Sequence, residues 1–156
     1  MAKFGAAIPV GATTFTPSVG AANWVLESTS TTQLVRAEEF SMGGELTSST
    51  AMRTRIARDS VVGAGTRTAI TVGGKFDGSY IASPGNAAFI SSTYGTTQPT
   101  IVAGALLPFS WNANGGFIRW LAAPGEEIIM TTATSIEARA DIGTGQSSYG
   151  LVWSEF

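Results

Sequence analysis

The chain has 156 residues, about the size of one domain, with a formal net charge of −2 and only 13% charged residues, about half of the roughly 25% usual in soluble domains. Arg and Lys number 9 and are scattered apart from Arg53, Arg55 and Arg58, so no polybasic nucleic-acid footprint forms. With no Cys there are no disulfides or thiolates, and with no His the commonest general base and transition-metal ligand are missing. Ser and Thr, Ala and 19 Gly dominate instead. A surface of hydroxyls and small side chains is cheaper for a neighbour to cover than one of charges, which favours assembly.

Residues 1–22 hold no helix or strand period. Phe4, Ile8, Val10 and Phe15 stand apart among small residues, as in a frayed terminus or in an extended arm whose anchors dock on a neighbouring subunit. The arm is the expectation taken forward, with those four residues as partner contacts and residues 23–156 as the folded domain. From Asn23 onward short β-prone runs alternate with turn signals: NWVLES, QLVRAEEF, AMRTRIARD, TRTAITV, IVAGALLPFSWN, GFIRWLAA, EEIIMTT, SIEARADI and YGLVWSEF. Many short strands at close spacing predict an all-β, antiparallel β-sandwich of jelly-roll type.

Within AMRTRIARD, Arg53, Arg55 and Asp59 share one face and Met52, Thr54 and Ile56 the other, with Arg58 on the second face by parity. Arg53 and Arg55 can be a solvated row or forks aimed at carboxylates on a partner subunit, since guanidinium binds carboxylate bidentately. Pro84-Gly85-Asn86 could cap a short helix over AAFISSTY, ended by Gly95. GFIRWLAA is apolar on both faces apart from Arg119, which predicts a central strand or one with a flank at a subunit contact. Pro124-Gly125 has the residue types of a type II turn and predicts a hairpin between GFIRWLAA and EEIIMTT. In SIEARADI, Ile136, Ala138, Ala140 and Ile142 form one row, expected in the core with Leu151 and Trp153; Ser135, Glu137, Arg139 and Asp141 form the other, expected in solvent.

No catalytic constellation emerges, and a non-enzyme is expected. Glu38 with Glu39, and Glu126 with Glu127, are adjacent on strands and should point to opposite faces, so neither pair converges on a bond. Gly63-Ala64-Gly65-Thr66 lacks the Lys of a phosphate loop, and Asp77-Gly78-Ser79 and Asn112–Gly116 lack the convergent carboxylates of a calcium loop, so no cofactor or metal is assigned. Trp24, Trp111, Trp120 and Trp153 could form a sugar-stacking platform but read better as core. No apolar run approaches the ~18 residues of a membrane span, and no secretory signal is visible, so a cytosolic product with no membrane partner is expected.

The stretches IARDSVVGAGTRTAITVGGKFDG and NANGGFIRWLAAPGEEIIMTT, with the closing YGLVWSEF, resemble small β-rich structural proteins of tailed bacteriophages, nearest the capsid decoration, or cement, proteins. That resemblance implies a jelly-roll-like fold and a place in the virion after synthesis in the host cytoplasm. It implies as partners the major capsid protein or another virion protein, and further copies of the chain, commonly as a trimer bridging capsomers. A tail or head-fibre component is the neighbouring expectation, and a carbohydrate-binding β-sandwich module the alternative from another class.

Overall fold

The computed structural model of the chain describes residues 2–8, 15–61, 63, 67–69, 88–94, 97–102, 104–131 and 134–156. Every regular element among them is a strand: β1 (Ala2–Ile8), β2 (Ala22–Ser28), β3 (Val35–Glu45), β4 (Ala51–Val61), β5 (Arg67–Ala69), β6 (Ala88–Tyr94), β7 (Thr100–Ile101), β8 (Leu107–Asn112), β9 (Asn114–Leu121), β10 (Ile128–Met130), β11 (Ser135–Ile142) and β12 (Ser147–Glu155). They form two antiparallel sheets packed face to face, the expected β-sandwich. The front sheet runs β1-β12-β3, with β9 and β10 both on the far flank of β3; the back sheet runs β5-β6-β2-β11-β4, with β7 and β8 both on the far flank of β4.

The two sheets share one logic. β1 leads to β2, β3 to β4, β11 to β12 and β8 to β9, and each of these pairs leaves one sheet and enters the other at the same end of the sandwich. The corners are tied by backbone bonds: Leu46 N to Ala113 O at 2.8 Å, Ala113 N to Thr50 O at 2.9 Å, Glu45 N to Gln146 O at 2.9 Å, and Ser147 N to Phe15 O at 2.9 Å. Folding four ribbons over one edge needs close backbone contact there. A Cβ on Gly44 would collide with the Ala113 backbone, and Gly143, at φ +86°, abuts the Ala51 carbonyl.

Between the sheets lie Trp24, Trp153, Phe4, Phe40, Leu26, Met42, Met52, Ile56, Met130 and Ile136, all essentially free of solvent. Trp24, Phe40 and Trp120 stack in series with centroids 5.5 and 5.0 Å apart, and Phe4 stacks on Trp153 at 5.7 Å. Full burial of one such side chain stabilises the fold by about 1.5–3 kcal/mol.

Several expectations are corrected. The start of the chain is not an arm over residues 2–8, because β1 pairs along its whole length with β12, from Ala2 opposite Glu155 to Ile8 opposite Tyr149. The helix over AAFISSTY is a strand instead: β6 pairs with β2, placing Val25 opposite Ser91 and Leu26 opposite Ile90, as its β-branched and Ser content favours. The Pro124-Gly125 turn forms as predicted, with Gly125 at φ +90° and Glu126 N donating to Ala123 O at 2.8 Å, but it closes no hairpin. β9 and β10 lie one after the other along the same flank of β3, and the turn lets the chain leave that flank and rejoin it. Among the described residues GFIRWLAA is accordingly an edge strand rather than a central one.

Candidate functional site

Two regions concentrate the chemistry. The first is the outer face of the back sheet. Register sets Ser135 opposite Asp59, Glu137 opposite Ala57 and Arg139 opposite Arg55, so a row of polar groups from β11 meets one from β4. This row is buried, contrary to the solvated face expected from alternation: Glu137 is 0% exposed, and Ser135, Ala57 and Asp59 are buried beside it. Val25 and Ala22 of β2 form a small second apolar cluster on the same sheet. Part of the cover is Gln98 and Pro99, whose Oε1 and carbonyl accept from Ala22 N at 3.0 Å and Arg139 Nη2 at 2.8 Å.

The charges there are matched within the chain. Arg139 Nη2 donates to Glu137 Oε2 at 3.0 Å, and Arg139 Nε lies 2.5 Å from Oε1 as an ion-pair contact without hydrogen-bond geometry. Ser135 Oγ donates to Asp59 Oδ2 at 2.8 Å, while among the described residues Asp59 Oδ1 is buried without a hydrogen-bond partner. Burial, and then the charge of Glu137, push the Asp59 carboxyl up to about 7; burial also raises Glu137, against the pull of Arg139. Burial thus favours the protonated form of Asp59, which limits the cost of an uncompensated charge.

Arg53 and Arg55 do share a face, but the carboxylate they meet belongs to their own chain. Asp141 sits 3.2 Å from Arg55 Nε and 3.7 Å from Arg53 Nε. Phe4, 1% exposed, and Phe15, 5.7 Å edge-on from Tyr149, also serve the chain's own core rather than a partner. Ile8 closes β1, and Val10 lies outside the described residues. Ile142, expected in the core, is 45% exposed, because a register shift after Ala140 turns it outward. Glu38 and Glu39 likewise escape simple alternation. A register shift between Val152 and Trp153 bulges β3 there, so Glu38 reaches Lys3 and Glu39 reaches Arg119, Nε at 2.7 Å and Nη2 at 2.9 Å.

The second region is the flank of the sandwich formed by β7 to β10. Phe117 is 66% and Leu121 62% exposed on β9, Ile129 is exposed on β10, and Val61, Val102 and Leu106 are exposed at the edge of the back sheet beside β4 and β7. Of the eight large apolar side chains exposed among the described residues, Phe117, Leu121 and Ile129 alternate with the core-packed Ile118, Trp120 and Ile128 and so form an apolar wall on the outward side of β9 and β10. None of this group was singled out from sequence, although the run apolar on both faces at GFIRWLAA was the signal. The four Trp are buried or half-buried, facing the core, so none offers an exposed ring for a sugar.

Compared with protein-family models, with curated proteins and with solved structures, the chain matches none. Among the described residues no helix is long and apolar enough to cross a membrane. The functional reading therefore rests on these two regions.

Proposed function

We propose that the chain is a non-enzymatic structural protein of a virion, acting as a capsid decoration, or cement, protein that bridges capsomers and adds buried area across their boundaries. The observation that carries this reading is the exposure of Phe117, Leu121 and Ile129 on the outward side of β9 and β10. Contiguous apolar surface on one side of a small domain is costly to leave in water and marks a surface made to be covered. The charge pattern supports the same reading. Lys3, Arg53, Arg55 and Arg119 are each matched by a carboxylate of the same chain, which lowers the unpaired positive charge that a neighbour would have to desolvate. The buried carboxylates Asp59 and Glu137 stabilise or destabilise the sheet rather than meet a substrate.

Incubating the intact chain with shells assembled without it, then sedimenting them, tests the reading. Saturable co-sedimentation and a higher temperature of content release are expected. A chain that stays in the supernatant at every concentration contradicts the capsid role.

A further inference from the structure

We infer that β9 is a self-pairing edge, along which a second copy of this chain docks antiparallel about a two-fold axis through Ile118. The proposal rests on reading the exposed apolar side of β9 and β10 as an assembly surface, though not on a capsid being the other partner. Among the described residues β9 pairs only with β3, and none of them pairs along its other flank. Edge strands are usually protected by Pro, by an unpaired charge or by shortness. The adjoining edge, β8, has Pro108. β9 spans 8 residues without Pro, and its one charge, Arg119, is already neutralised by the fork to Glu39.

The occupant follows from reading β9 against itself. With Ile118 opposite Ile118, Gly116 meets Trp120 and Phe117 meets Arg119 on each side of the axis, and Leu121 lies toward Gly115. Small residues of the first half thus receive large ones of the second. The guanidinium comes to the exposed Phe117 ring of the other copy, a cation–π pairing. Neighbouring registers are worse. A slip that centres the axis on Arg119 sets two guanidiniums directly opposite each other, and one that mixes odd and even positions sets the core side of one copy's β9 beside the outward side of the other's. A strand of another protein would have no reason to match this asymmetry.

Because the chain has no Cys, cross-linking gives a clean readout. The double variant Phe117→Cys/Arg119→Cys should oxidise to a covalent dimer, whereas Ile142→Cys, also exposed but on another strand, should not. Phe117→Lys, which puts a second cation opposite Arg119, should keep the circular dichroism band and raise the dimer dissociation constant tenfold or more in sedimentation equilibrium. A larger assembly that forms without the 117–119 cross-link overturns this inference and leaves the assembly reading standing. A chain that remains monomeric at high micromolar concentration also overturns it, and binding to shells then decides the capsid role separately. Protection of β9 only when shells are added would assign the edge to another virion protein and likewise overturn self-pairing.

Discussion

On the outer face of the back sheet, Glu137 and Arg139 are packed away with Asp59 and Ser135, whereas on the flank of the front sheet Phe117 and Leu121 stand in solvent. The usual distribution is inverted: charge is inside and large apolar groups are outside. The contrast separates two jobs. Buried ion pairs add little net stability over well-packed apolar residues but penalise any arrangement that breaks them, so they specify how β4 and β11 align. Exposed apolar groups add nothing to the isolated fold and become favourable only when covered. Substitutions in the first region should therefore change stability, and those in the second should change association.

The largest effect is expected from Arg139→Ala. It strands the Glu137 carboxylate in a fully buried site and removes the bond to the Pro99 carbonyl, and should cost about 3–5 kcal/mol in chemical unfolding. Replacing both partners, as Glu137→Leu/Arg139→Met, should recover most of that loss. If the double variant is as unstable as the single one, the pair is not a specificity device. Trp153→Ala, emptying the site stacked on Phe4, should cost a similar ~3–5 kcal/mol and provides the apolar-core benchmark for the comparison.

A mid-sized effect is expected from Asp59→Asn, and it depends on pH. The folded chain holds the Asp59 proton up to about 7 against an ordinary value of 3.8, so the folded state binds more protons than the unfolded one between those values. The stabilising contribution is complete below about 4 and is lost as pH rises through about 7. The Asn variant lacks this titration. Its stability relative to the parent should rise by ~2 kcal/mol between pH 5 and pH 8, and an advantage that is flat with pH would remove Asp59 from the buried network. The smallest effect on stability, within about 0.5 kcal/mol, is expected for Phe117→Ser, which touches no core contact; its effect should appear in sedimentation instead.

How much of this was legible in the sequence follows from where alternation holds. The strands, the sandwich and the core rows through Ile136, Ala138, Leu151 and Trp153 could be read because each such side chain obeys the period of two. Alternation also sorted Glu137 and Arg139 correctly onto one face, but it says nothing about whether a second layer covers that face. Bulges hid the rest: at Glu38 and Glu39 they bring both carboxylates to cations, and after Ala140 they expose Ile142. The wall was hidden for another reason. Whether GFIRWLAA lies at the centre or the edge of a sheet depends on its pairing with β3, some 80 residues earlier, which no local pattern records.

The contrast between the two regions is tested most directly by hydrogen exchange at low and at high micromolar concentration of the intact chain. Self-association through the wall predicts that protection rises with concentration across residues 116–120 and stays unchanged along β4 and β11, whose amides are already paired on both sides. Protection that is independent of concentration along β9, or that rises on the back sheet instead, would contradict it.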